Sequence, residues 1–137
     1  MSRRYPPQYQ DVNISIKNMK AMEVVKEVLG EKFRYFRSQI TSESSYRKIH
    51  EILITILDTA EGLKPEEALN FLNEQLPRAY VIIEYQNVRG QINKDLRRIL
   101  TNMIDDLSLS NANDIRKLIR NARLLLDSLA VIAKSSR

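Results

Sequence analysis

Residues 111–134, NANDIRKLIRNARLLLDSLAVIAK, contain neither glycine nor proline. At 3.6 residues per turn they make a rod of about six turns. Ser110, Asn111 and Asn113 offer side-chain oxygens to the first free amides, and Asp114 suits the positive end of the helix dipole. Plotted at about 100° per residue, Ile115, Leu118, Ile119, Ala122, Leu125, Leu126, Leu129, Ala130 and Ala133 form a broad apolar face. Arg116, Arg120 and Arg123 line up opposite, with Lys117 beside them. Leu124 and Val131 fall on the polar side, which makes the later half apolar nearly all round. Such a helix is central in its bundle or docks on another chain. The basic row is either a solvated face or a binding face.

Working backwards, Gln91 to Leu107 repeats the pattern. Ile92, Leu96, Ile99, Met103 and Leu107 form a stripe widened by Leu100 and Ile104, while Lys94, Arg97 and Arg98 cluster opposite with Asp95 the one nearby acid. Before it, Lys64-Pro65-Glu66-Glu67 is a helix start, with proline in the first turn and acids over the positive dipole end. Leu69, Phe71, Leu72 and Leu76 carry that helix to Pro77, where it kinks or restarts. The following AYVIIEY is rich in β-branched residues, but no other segment offers it a partner strand, so helix is expected up to Gly90. Thr41 and Ser42, with Ser44 and Ser45 competing as caps, open another helix through Tyr46, Ile49, His50, Leu53, Ile56, Leu57 and Ala60 to Gly62. From Ser15 to Gln39, Met19, Met22, Val25, Val28, Leu29, Phe33 and Phe36 predict a further helix that Gly30 ends or weakens. Residues 1–13, with Pro6 and Pro7, read as a flexible lead-in. The expected fold is therefore all-α, a single-domain bundle of about five helices over residues 14–137.

Composition narrows the chemistry. With 137 residues the chain can bury a real core, and its three glycines and four prolines favour long helices over a turn-rich β fold. No cysteine is present and there is one histidine, which leaves no thiolate metal site, no Cys–His nucleophile and no plausible zinc site. His50 follows Tyr46 by one turn on the apolar stripe and reads as a structural residue. Gly30, Gly62 and Gly90 stand too far apart to build a phosphate loop. Asp105 and Asp106 diverge by about 100° on a helix, a poor clamp for magnesium. No catalytic residue, metal, cofactor or small-molecule substrate is expected. No apolar run suits a membrane span, and MSRRYPPQYQ lacks the apolar core of a signal peptide, so a cytoplasmic location is the expectation.

What remains is binding. The formal net charge is +5, from 22 Lys and Arg against 17 Asp and Glu. Arg47 and Lys48, Arg89, Lys94 with Arg97 and Arg98, and Arg116 with Lys117, Arg120 and Arg123 are cations on helices. Two or three of these groups on one side would form a stripe suited to phosphates, with little sequence preference.

The order of features from Ile40 to Lys134 resembles the small all-helical subunit of type III-A CRISPR effector complexes, the Csm complex. A Thr/Ser-rich cap leads into an Arg and an amphipathic helix in ITSESSYRKIHEIL, residues 40–53. A Tyr is followed four residues later by Arg in YQNVRG, at Tyr85 and Arg89, where Asn87 and Val88 replace the family's small residues. The last helix carries Asp127, Ser128, Leu129, Ala130, Val131 and Ile132 against an acid-Ala-apolar-apolar-Ala-Tyr pattern, without the terminal Tyr. The resemblance implies a non-catalytic subunit. Its copies stack along a filament with other effector subunits and line the channel where guide RNA pairs with target RNA. Its basic residues would hold the RNA backbone, and Arg47 and Arg89 fit the family's basic positions best. Lys48, Lys94, Arg97 and Arg98 join them by helical placement, while Arg116, Lys117, Arg120 and Arg123 face RNA or neighbouring subunits. The small subunit of the type III-B Cmr complex has a similar topology. The rival reading is a helical protein–protein adaptor or dimerisation module, self-associating through Leu124, Val131 and their neighbours and having no nucleic-acid role.

Overall fold

A computed structural model describes residues 14–135, so the expected lead-in over residues 1–13 lies outside the described residues. Six helices follow in order: α1 Ala21–Leu29, α2 Phe33–Gln39, α3 Glu43–Glu61, α4 Pro65–Val88, α5 Lys94–Ser108 and α6 Ile115–Lys134. Among the described residues there is no strand, only an isolated antiparallel bridge between Ile40 and Ile92. Consecutive helices α3, α4 and α5 pack each on the next, α1 also packs on α2, and α6 touches all five of the others. Its Leu118, Ile119, Leu125, Leu126, Leu129 and Ile132 are almost completely enclosed. Each such side chain contributes on the order of 1.5–3 kcal/mol by leaving water.

Six helices rather than about five arise because Gly30 ends the first helical stretch instead of weakening it. Its N–H caps the Lys26 carbonyl at 3.0 Å, and a Cβ there would lie 2.6 Å from that same oxygen. Glu31 and Lys32 then turn the chain into α2. At the other end of α1 the Glu23 carboxylate accepts from the Lys20 N–H at 2.7 Å. Within α1 the buried residues are Val24 and Val28, whereas Met22, expected on the inner face, points to solvent.

The remaining starts and stops follow local chemistry. Ser42, rather than Ser44 or Ser45, caps α3 by accepting from the Ser45 N–H at 3.2 Å. In α4, Glu67 reaches back to the Lys64 N–H at 3.4 Å, and Pro65 stands in the first turn. The helix runs unbroken through Pro77, so it neither stops nor restarts there. Pro77 is exposed, and water can therefore reach the Asn73 carbonyl that lacks its usual donor. AYVIIEY is helical because Ala79, Ile83 and Gln86 recur on the buried side. Residues 91–93, expected to begin α5, are instead extended, and residues 111–114 form a turn before α6. In that turn Asn111 Oδ1 accepts from the Asp114 N–H at 3.0 Å. Leu124 is half-buried and packs on the core, while Val131 stays exposed.

Two polar residues lock α6 to its surroundings. The buried Tyr46 hydroxyl donates to the Leu126 carbonyl at 2.8 Å. Burial, with Asp127 nearby, holds that phenol well above its usual range, so it stays a neutral donor. Asn121, also buried, donates through Nδ2 to the carbonyls of Ile16 and Met19, both at 2.9 Å, and so ties the segment before α1 to the central helix. Asn121→Ala should lower stability by about 2–3 kcal/mol, since it strips two enclosed carbonyls of their donor. Urea unfolding of the two proteins measures it.

Candidate nucleic-acid interface

The ends of three helices are clasped at one pole of the bundle. α4 closes in a Schellman arrangement: the Gly90 N–H donates to the Asn87 carbonyl and the Gln91 N–H to the Gln86 carbonyl, both at 2.9 Å. Gly90 adopts φ +77°, the left-handed conformation this closure needs. The chain then runs alongside residues 39–42. The Gln91 carbonyl accepts from the Thr41 N–H at 2.9 Å and from the Ser42 N–H at 3.3 Å, and the Asn93 N–H donates to the Gln39 carbonyl at 2.9 Å. The buried Gln39 side chain accepts from the Leu96 N–H at 3.2 Å, and Asn87 Nδ2 reaches the Ile92 carbonyl at 3.0 Å. Tyr35 adds a hydrogen bond to Asp95. The start of α3, the end of α4 and the start of α5 are thereby one unit.

That unit gathers cations. Arg47 and Lys48 lie in the first two turns of α3, Arg89 caps α4, Lys94 opens α5, and Arg97 and Arg98 follow within a turn. Arg47 sits 3.5 Å from Glu43, Arg97 3.4 Å from Glu84 and Arg98 3.9 Å from Asp95. Lys48, Arg89 and Lys94 are exposed and form no ion pair among the described residues. The Arg89 guanidinium lies over the Tyr85 ring, 5.5 Å from its centroid. Surface ion pairs are worth about 0–1 kcal/mol. Arg47 can therefore exchange Glu43 for a phosphate oxygen at little cost. Arg97 is packed more deeply, and its enclosed Nε finds no acceptor among the described residues. Sequence reasoning passed over Lys134, which comes to this pole at the end of α6 and lies 3.9 Å from Glu43. No local pattern could place it there, since only the antiparallel packing of α6 on α3 does so.

The basic row of α6 lies at the other pole. Arg116 donates to the carbonyls of Glu61 and Leu63 at 3.3 and 3.2 Å, which satisfies the end of α3. Lys117 donates to the Lys17 carbonyl at 3.2 Å. Arg123 bonds to Asp58 and lies 3.7 Å from Glu61. Arg120 alone of the row is exposed with no ion pair or hydrogen bond to a described residue. The 19 residues of α3 separate Arg116 from the clasped pole by about 28 Å. The four residues therefore do not join Lys48, Arg89 and Lys94 in one stripe.

The other candidates for chemistry are placed as follows. His50 Nε2 lies 3.0 Å from Asp127 Oδ1, between α3 and α6, beside the Tyr46 ring. No group of three or more His, Asp or Glu side chains among the described residues is arranged to share a metal ion. No described helix is long and apolar enough to cross a membrane. Asp106, near the end of α5, has its carboxyl raised above the ordinary range by burial, with Asp105 adding to the rise and Lys17 opposing it. Set against known protein families, curated proteins and solved structures, the chain matches none.

Gly90→Ala should cost about 1 kcal/mol in thermal or urea unfolding, all of it from the left-handed backbone, because no atom stands within 4 Å of the added methyl. For Asp106 the sign runs the other way. Its raised value in the folded state means that folding disfavours the ionised form, and this penalty is present at neutral pH. Asp106→Asn should therefore melt higher than the natural protein near neutral pH. The difference should disappear as pH falls below the usual carboxyl range, where the wild-type acid is protonated folded and unfolded alike.

Proposed function

We propose that this chain is a non-catalytic small subunit of a type III CRISPR RNA-guided effector complex. It holds the backbone of the guide and target RNA at the clasped pole and packs against neighbouring subunits. The observation that carries this reading is that Lys48, Arg89 and Lys94, exposed and without carboxylate partners among the described residues, lie near helix ends tied by backbone hydrogen bonds. A rigid platform of cations suits phosphates, whose spacing does not vary with sequence. Arg47, Arg97 and Arg98 stand beside these three and add charge by releasing their carboxylates. In this reading base pairing between the two RNA strands supplies sequence choice. Arg116, Lys117 and Arg123 hold the bundle together, and Arg120 is left for a neighbouring subunit.

Anisotropy with two labelled single-stranded RNAs of unrelated sequence tests the phosphate contacts. Both should bind alike, and log K should fall with log salt at a slope of about −2, the value for three backbone contacts on a single strand. Replacing Lys48, Arg89 and Lys94 together by Glu should abolish binding with helicity unchanged, while Arg120→Glu should leave it intact. Undiminished affinity in the triple variant would sink the RNA interface. For membership of the complex, tagged chain purified from its own host should carry guide RNA and effector subunits. Recovery without them would count against it.

A further inference from the structure

Helix α4 packs on α3, α5 and α6 and leaves its fourth side to solvent. Along that side Glu74, Arg78, Val81, Tyr85 and Val88 follow one another at spacings of four and three, the repeat of a helix seam made for another helix. Val81 is 66% exposed, Tyr85 57% and Val88 82%, and they make up half of the large apolar side chains that are exposed among the described residues. A contiguous apolar stripe of this kind marks a contact surface more than scattered single residues do. Its charges are segregated along the helix. Glu66, Glu67 and Glu74 lie in the first half, and Arg78 and Arg89 at or beyond the middle; the one acid there, Glu84, is taken up by Arg97 of α5. Neither Glu74 nor Arg78 takes part in an ion pair among the described residues.

We propose that this face of α4 pairs with the same face of a second copy, antiparallel, about a two-fold axis at Val81. An isologous contact of this sort needs a self-complementary surface. At about 100° per residue, Glu74, Arg78, Tyr85 and Arg89 all fall on one flank of the Val81 line. A two-fold perpendicular to the paired helices sets each flank against its own copy in reverse order. Arg89 is eight residues beyond Val81 and Glu74 seven before it, so the two come level within one residue's rise, about 1.5 Å. Tyr85 and Arg78, four beyond and three before, match in the same way and set a guanidinium against a ring. Val81 meets Val81 on the axis, and Val88 with Pro77 lines the opposite flank. A parallel pairing would instead bring Arg89 level with Arg89 and Glu74 level with Glu74, across opposite flanks, and no acid of the stripe would come level with a base. The charge pattern therefore selects a second copy of this chain in one orientation. None of this draws on the RNA reading.

Sedimentation equilibrium of the full chain at low salt, over a wide range of concentration, reads the pairing directly. The protein should dimerise, and Val81→Asp should raise the dissociation constant about thirtyfold, the effect of losing a central contact. Val88→Asp should weaken it in the same direction. All these positions are exposed, so circular dichroism should show unchanged helix. Arg89→Glu and Glu74→Arg should each weaken the dimer, and the two together should restore it. A monomer at every concentration overturns the proposal, as does a dimer indifferent to Val81→Asp. Single charge reversals that the double change does not repair overturn the antiparallel register. Val81→Asp should still bind RNA through Lys48 and Lys94, so this proposal and the RNA interface fail separately.

Discussion

The enclosure of α6 is the constraint on which the other elements depend. Each of the other five helices buries part of its apolar face against this one; α1 has little else to pack on, while α2 also leans on α5 and α1. A nine-residue and a seven-residue helix are too short to persist alone, because forming the first turn of a helix costs more than the next few hydrogen bonds return. They exist as helices because Val24, Val28, Tyr35 and Phe36 find cover. The polar fasteners obey the same logic. Tyr46 and Asn121 are enclosed between α6 and its neighbours, and each spends its donors on buried or half-buried carbonyls.

Fastening also divides the cations. A guanidinium beside the end of a helix meets carbonyls that have lost their intrahelical donors, and Arg116 takes that of Glu61 together with the Leu63 carbonyl just beyond the cap. Arg123, set between Asp58 and Glu61, screens the acids that end α3. Such residues look identical to unpaired surface cations in a helical projection. At the clasped pole the helix ends are satisfied differently, by a glycine closure and by backbone pairing across residues 39–42 and 91–93. There Lys48 and Lys94 form no ion pair among the described residues, and Arg89 rests on the Tyr85 ring.

α4 shows how one sequence serves two surroundings. Its β-branched run follows a strand-like composition, yet Ala79, Ile83 and Gln86 on the inner side require helical spacing. The same spacing delivers Val81, Tyr85 and Val88 to the outer side. Arg89 belongs to both the cationic pole and the outer face, so the proposed pairing with a second copy and the proposed contact with a polyanion would meet at one residue.

Periodicity in the sequence sufficed for the all-α class and for the run of α3, because these depend on contacts within a turn or two of chain; whether α6 is central or docks on another chain, and which of Thr41, Ser42, Ser44 and Ser45 caps α3, it left open. At Gly30 the sequence offered an end or a weakening without choosing, and the late start of α6 turns on a local bond from the Asp114 N–H to Asn111; the extended residues 91–93, by contrast, were not legible, since residues 39–42, distant in the chain, decide them. For the candidate interface, the sequence showed which cations share a helix face. It could not show which would be consumed by carbonyls or carboxylates of another helix, as Arg116 and Arg123 are, or that Lys134 would arrive beside Glu43. Charge has no periodicity that encodes its partner. Only the tertiary packing, by setting helix ends side by side, separated the cations that hold the fold from those left to hold something else.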